Sequence, residues 1–139
     1  MSRYGFVAHP ESVTLVVIDG DELVLVRQSR PGALEPTLEL PAGAVEQGEL
    51  PEQAAARELA EECALKASSW RHIGGFWVVP SYSTEFTHVY EASGIVPAAQ
   101  GTPDADEDIE VVRRPVAGTL GLLSDAGSIA ALALWQAGR

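Results

Sequence analysis

Three glutamates, Glu58, Glu61 and Glu62, stand at i, i+3 and i+4 in the stretch from Gly43 to Leu65, GAVEQGELPEQAAARELAEECAL. On an α-helix that spacing gathers three carboxylates on one face, about one turn apart. Like charges so placed weaken a helix by roughly 0.2–0.5 kcal/mol per pair. A helix that carries this repulsion calls for a cation opposite it. A hard divalent metal ligated by oxygen is the first candidate. Magnesium keeps waters and substrate phosphates in its octahedral shell, so a carboxylate site for Mg2+ points to a phosphate-bearing substrate. Arg57 can pair with Glu61 at i+4 and fix the carboxylate geometry. The plainer alternative is a solvated acidic face on a surface helix.

These residues need a helix to present them and a sheet to hold the helix. Pro51 suits a first helical turn, and the pattern predicts a helix from Pro51 to Ala64 with Ala55, Ala56, Leu59 and Cys63 as its apolar face. Leu50 is a poor cap, partly offset by Glu49 and Glu52 near the positive end of the helix dipole. Upstream, Ser12–Ile18 (SVTLVVI) and Glu22–Gln28 read as strands joined at Asp19-Gly20-Asp21. Thr37–Leu40 is a short extended piece stopped by Pro41. Downstream, Trp70–Val79 reads as a strand bent at its Gly-Gly pair, Glu85–Ala92 as another, and Ile109–Val112 as a third. Pro115–Leu123 is a weak helix or turn. Ser124 or Asp125 can cap a last helix, Ser128–Gln136. The fold class expected is α/β: one domain over 1–139, an α/β/α sandwich with a mixed sheet, a central helix and a C-terminal helix.

The chain has 139 residues and a formal net charge of −11. That charge disfavours nucleic acid and anionic membrane as partners. It also requires a metal or local arginines if the substrate is anionic. The one cysteine, Cys63, excludes an intramolecular disulfide and reads as a buried, inert thiol. With no apolar leader at the N-terminus, a cytoplasmic protein is expected.

Taken together, Gly43, five residues, Glu49, seven residues, then Arg57-Glu58-Leu59-x-Glu61-Glu62-x-Ala64-Leu65 resembles the signature of the Nudix hydrolases. It departs from that signature only at Ala64, where the family has glycine. The resemblance implies hydrolysis of a nucleoside diphosphate linked to another moiety, through a metal-activated water. It implies Glu58 and Glu62 as metal ligands, Glu61 as a further ligand or catalytic group, Arg57 as their brace, and the carbonyl of Ala42 completing the site. Glu49 is then structural or an outer ligand. Mg2+ is the expected cofactor, with Mn2+ as a substitute.

Three further segments resemble the ADP-ribose and ADP-sugar pyrophosphatase branch. Val26-Arg27-Gln28-x-Arg30, followed by Glu39-Leu40-Pro41-Ala42-Gly43 and Glu46, would supply substrate contacts through Arg27, Arg30 and Glu46. Pro80–His88 (PSYSTEFTH) puts Glu85 where relatives have a glutamate near the terminal ribose. Pro103–Val111 (PDADEDIEV) would close over the diphosphate, with Glu107 as catalytic base. Trp70, Phe76, Trp77, Tyr82 and Trp135 read mainly as core, with stacking on the base as a second reading for Tyr82; His9, His72 and His88 are given no role. Relatives of this branch have a longer segment before the first strand, forming a sheet exchanged in a homodimer. About eleven residues precede that strand here, so either the base is held differently or the substrate is GDP-mannose, another nucleotide sugar or a smaller nucleotide, and a homodimer stays open. Two other readings compete: a Nudix-fold sensor that binds without turnover, and a house-cleaning nucleoside triphosphate pyrophosphohydrolase. The intact glutamates count against the first, and the Glu-Leu-Pro-Ala-Gly context with its acidic loop counts against the second.

Overall fold

The chain alternates short apolar runs with breaks at Asp19-Gly20-Asp21 and at the prolines, and these runs build the sheet. The computed structural model describes residues 5–99 and 109–139. Its strands are β1 (Ser12–Asp19), β2 (Glu22–Gln28), β3 (Thr37–Glu39), β4 (Ala42–Ala44), β5 (Leu65–Trp77), β6 (Phe86–Pro97) and β7 (Ile109–Pro115). Helix α1 covers Pro51–Cys63 and α2 covers Ala126–Ala137, with a 3-10 turn at Thr119–Leu122 between β7 and α2. Neighbouring strands follow the order β3-β2-β1-β6-β5, with β4 also on β1 and β7 also on β2. Only the β1–β6 pair is parallel among these, so the sheet is mixed, as expected.

The β1–β2 hairpin is paired only near its turn, through Val17↔Val24, Ile18↔Leu23 and Asp19↔Glu22. Beyond it the two strands part. β3 takes up the far end of β2, with Val26↔Glu39, and β4 takes up the start of β1, with Val13↔Gly43. Leu15 N–H donates to the Pro41 carbonyl at 2.9 Å between them. Residues 37–44 therefore fill the opening of the hairpin, and the backbone of Ala42 and Gly43 lies in the body of the sheet.

β1 is buried on both faces, which is why it reads as an unbroken apolar run. Val13, Leu15 and Val17 pack with Ala54, Ala55, Leu59 and Cys63 of α1. Val16, Leu23, Leu25, Leu40 and Val89 pack with Ala131, Leu132 and Trp135 of α2. Two helical layers thus enclose one sheet. The buried face of α1 differs from the expected one: Ala54 is inside, Ala56 is exposed, and Glu62 is buried beside Cys63. The helix is rotated so that Glu62 turns toward β4 rather than solvent.

β5 starts at Leu65, five residues earlier than expected, and β6 runs to Pro97 rather than ending at Ala92. Leu65↔Pro97 and Ala67↔Ile95 pair there. The polar Ser68 and Ser69 hide this extension, because an edge strand leaves one face to solvent. The expected irregularity at the glycine pair is present as a register shift between His72 and Gly74. Trp77 and Tyr82, read as core, are exposed at 59% and 55%. Trp77 sits at the end of this edge strand and meets Phe86 edge-on instead of a core layer.

Ala64 caps α1 in the left-handed conformation, φ 56 and ψ 39, and is the one non-glycine with positive φ among the described residues. A side chain in that region costs roughly 1–2 kcal/mol. Ala64→Gly is expected to stabilise the protein by about 1 kcal/mol and raise Tm by a few degrees in calorimetry. An unchanged or lower Tm would show that the cap carries no such strain.

Candidate active site

β4 and α1 build the site between them. Leu50 offers no side-chain cap, but Gln53 Oε1 accepts the Leu50 N–H at 2.9 Å and secures the first turn. The helix then delivers Arg57, Glu58, Glu61 and Glu62 to the side facing β4.

Arg57 uses every N–H it has. Its Nε and Nη2 grip both oxygens of Glu49, at 2.8 and 3.0 Å. Nη2 also donates to the Ala44 carbonyl at 2.8 Å. Nη1 donates to Glu58 Oε1 at 2.8 Å and to Glu61 Oε2 at 3.2 Å. The expected pairing with Glu61 is present, and Glu49 is an additional, bidentate partner. The guanidinium holds the Glu49 carboxyl at about 2. Glu49 in turn accepts the Glu46 N–H at 3.0 Å, which ties the loop after β4 to the helix. The Glu46 side chain is exposed, 3.6 Å from Arg57 Nη1.

Glu58 lies over Gly43. A Cβ at residue 43 would fall on the Glu58 carboxylate, so glycine leaves the space that carboxylate occupies. Glu62 is buried, and its Oε1 accepts the Ala42 N–H at 3.1 Å. Burial, and next the charge of Glu58, push Glu62 up to about 8. Burial also raises Glu58, against the pull of Arg57. Glu61 is 59% exposed at the rim. Cys63, beside Glu62, is pushed up to about 12 by burial and is inert as a nucleophile.

Two carboxylates kept together where their charge is penalised are what a divalent cation would relieve. The donors are all oxygen: Glu58, Glu62 and the Ala42 carbonyl. That set fits a hard cation whose remaining positions go to water and phosphate. Among the described residues no group of three His, Cys, Asp or Glu side chains forms a closed metal cluster. The arrangement is instead an open one, built on two carboxylates.

Behind Ala42 and Gly43, on the α2 side, lies a cavity of about 390 Å³. Arg30 stands in its wall. Its Nε and Nη2 bind Glu39 at 2.9 and 2.8 Å, and Thr37 also donates to Glu39. Glu85 lines the same cavity and accepts the Ser12 hydroxyl at 2.7 Å. Arg27 is not there: it faces its cross-strand neighbour Glu110 on β7 at 3.3 Å. Tyr82 does not line the cavity either. Glu107 lies outside the described residues. Sequence reasoning passed over Ser12, Thr14, Thr87 and Asp125, which also line this space. The available signal was the pair of polar residues at alternate positions in SVTLVVI, an otherwise apolar strand.

The NUDIX domain matches residues 8–125. The chain belongs to the Nudix family. It is 35% identical over 113 residues to the ADP-ribose pyrophosphatase of Bacillus subtilis (strain 168), covering 80% of this chain and 61% of that protein. It is 31% identical over 116 residues to the ADP compounds hydrolase NudE of Escherichia coli (strain K12), covering 83% and 61%. An ADP compounds hydrolase of known crystal structure superposes with a TM-score of 0.83 at 28% identity, over 92% of this chain and 71% of that one. These relatives lie in the branch that the substrate-side segments resemble. The chain spans about three fifths of the length of the two curated relatives. No helix among the described residues is long and apolar enough to cross a membrane.

Two outcomes are expected. Gly43→Ala should displace the Glu58 carboxylate and weaken divalent-cation binding by about 10–100-fold in titration calorimetry, the range seen when groups that orient metal ligands are lost. Unchanged affinity would mean that Gly43 is not needed for the cation site. The second concerns pH. A carboxyl raised by folding from 4.5 to about 8 binds its proton more tightly in the native state. Its contribution is complete below about 4.5 and is lost as pH climbs through about 8. In chelator-treated protein, Tm should therefore fall more between pH 5 and pH 8.5 for wild type than for Glu62→Gln. Parallel pH profiles would remove Glu62 as the source.

Proposed function

We propose that this chain hydrolyses the diphosphate bond of a nucleoside diphosphate-linked substrate, with ADP-ribose or a related nucleotide sugar as the leading candidate and Mg2+, replaceable by Mn2+, as the cofactor. The observation that carries this reading is the convergence of Glu58 and Glu62 on the backbone of Ala42 and Gly43, beside a cavity that Arg30 enters. The ADP-ribose pyrophosphatases among the relatives support the substrate class.

Glu58, Glu62 and the Ala42 carbonyl would hold the cation. When bound, the cation neutralises charge on the diphosphate and acidifies a water. The chain's own residues then set the geometry. Arg57 fixes the Glu58 rotamer and keeps Glu61 within reach of the same site, while Glu49 fixes Arg57. Arg30 spends two of its five N–H groups on Glu39 and is half exposed, which leaves donors for a phosphate oxygen. Arg27 would have to leave Glu110 to do the same, so Arg30 carries the diphosphate contact. Glu107 is assigned the base that takes the proton of the attacking water.

Incubated with ADP-ribose and Mg2+, the protein should release AMP and ribose 5-phosphate, resolved by ion-exchange chromatography. Substituting groups that merely orient metal ligands costs 10–100-fold, so Glu58→Gln should lower kcat by more than about 100-fold with the fold intact by circular dichroism. A variant that turned over at the wild-type rate would end the assignment of Glu58 to the metal.

A further inference from the structure

A half-exposed arginine rests on a buried acid at the end of β2. The Arg30 side chain is 49% exposed and the Glu39 side chain only 8%. Arg30 Nε donates to Glu39 Oε2 at 2.9 Å and Nη2 to Oε1 at 2.8 Å, so both carboxylate oxygens go to one guanidinium. Thr37 Oγ1 donates to the same Oε2. Thr37 and Glu39 both come from β3, which Val26↔Glu39 and Gln28↔Thr37 hold against β2.

Stability alone is a weak reason for such a pair. Burying a carboxylate costs solvation, and apolar residues of similar volume often serve a fold as well or better. Nor does β3 need the pair to stay in place. Leu38 and Leu40, on either side of Glu39, pack into the core against α2.

What the pair fixes is a plane. A guanidinium is flat, and Nε with Nη2 forms one of its edges. Binding that edge bidentately sets the plane and the direction of the end of the fork. One N–H on Nη2 and both on Nη1 are then left over. Among the described residues the Arg30 side chain makes no other hydrogen bond. Nη1 and the spare N–H of Nη2 together form the end of the fork, the pattern that takes two oxygens of a phosphate. The Glu39 hydrogen bonds hold the Arg30 pKa above its ordinary value, burial works against them, and the charges of Glu62 and Asp125 add to them. The guanidinium thus feels both Glu62 of the acidic pair and Asp125 of the cavity wall. An unheld arginine would give up side-chain freedom on meeting a ligand, whereas a clamped one has already done so.

We propose that Glu39, steadied by Thr37, is a positioning residue that fixes the Arg30 guanidinium so that the end of its fork is aimed at the substrate diphosphate. Both Glu39 oxygens are taken, so it acts only through Arg30. This inference rests on reading Arg30 as the diphosphate contact.

The test compares steady-state kinetics on ADP-ribose with Mg2+ for wild type, Arg30→Ala, Glu39→Gln and the double variant. A contact made in the bound complex and kept in the transition state moves KM and spares kcat. Glu39→Gln should therefore raise KM about tenfold at nearly unchanged kcat. On Arg30→Ala the same change should have no further effect, because residues that act through one another do not add. Thr37→Val should raise KM less, and again only while Arg30 is present. A wild-type KM for Glu39→Gln, a loss in kcat alone, or a loss that repeats in full on Arg30→Ala overturns the proposal. Should Glu39→Gln be unfolded by circular dichroism, Thr37→Val decides by the same criteria. If Arg30→Ala keeps the wild-type KM, the diphosphate contact lies elsewhere and the proposal falls with it. If wild type does not cleave ADP-ribose, the hydrolase reading fails separately, and calorimetric Kd values for ADP-ribose over the same proteins decide. A non-additive loss of affinity upholds the proposal, while equal Kd values or no binding overturn it.

Discussion

A single guanidinium organises the acidic half of this protein. Arg57 sits among Glu46, Glu49, Glu58 and Glu61, in a chain with a net charge of −11. Its bidentate grip on Glu49 is what ties the loop after β4 to the helix, since a planar fork fixes orientation as well as distance. Its bond to the Ala44 carbonyl fixes the helix against the strand. Its bond to Glu58 holds that carboxylate over Gly43, while Glu62 accepts the Ala42 N–H. Lysine has three donors at one point and no planar fork, so it could not fix this orientation. The brace thus offsets part of the repulsion among Glu49, Glu58 and Glu61.

The sheet supplies the other half of that constraint. A hairpin paired along its whole length would leave no room for backbone at its centre. Here β1 and β2 separate after three pairs, and residues 37–44 occupy the gap. This places a stretch of backbone, rather than side chains, opposite the acidic helix. Backbone serves the site in two ways: the Ala42 N–H is donated to Glu62, and at Gly43 there is no side chain to displace Glu58. Leu15 stitches the insert to β1 through Pro41.

How much of this was legible beforehand depends on the range of the interaction. The helix and its charged face follow from spacing within one turn, and Pro51 marks its start, so they could be read directly. Ala64 could be read as a departure, and the structure shows its conformation to be left-handed. The rotation that buries Glu62 in place of Ala56 could not, because it is set by contacts with β4, distant in sequence. Arg27 and Arg30 illustrate the same limit. Both look available in the sequence, yet Arg27 meets Glu110 across 83 residues, while Arg30 meets Glu39 only nine away. Ser12, Thr14 and Thr87 form one polar patch only because β1 and β6 run side by side in parallel. Such a patch leaves no local trace beyond two hydroxyl residues in an apolar run.

The two faces of the sheet thus carry different tasks. The α1 face concentrates negative charge that only a cation can offset, and burial keeps Glu62 from escaping into water. The α2 face, a few residues away through Ala42 and Gly43, offers hydroxyls and the carboxylates of Glu39, Glu85 and Asp125, with Arg30 engaged by Glu39 and His9 beside Glu85. A phosphate would be held at the first only through a cation on Glu58 and Glu62, with Arg30 in the wall of the second as its protein donor.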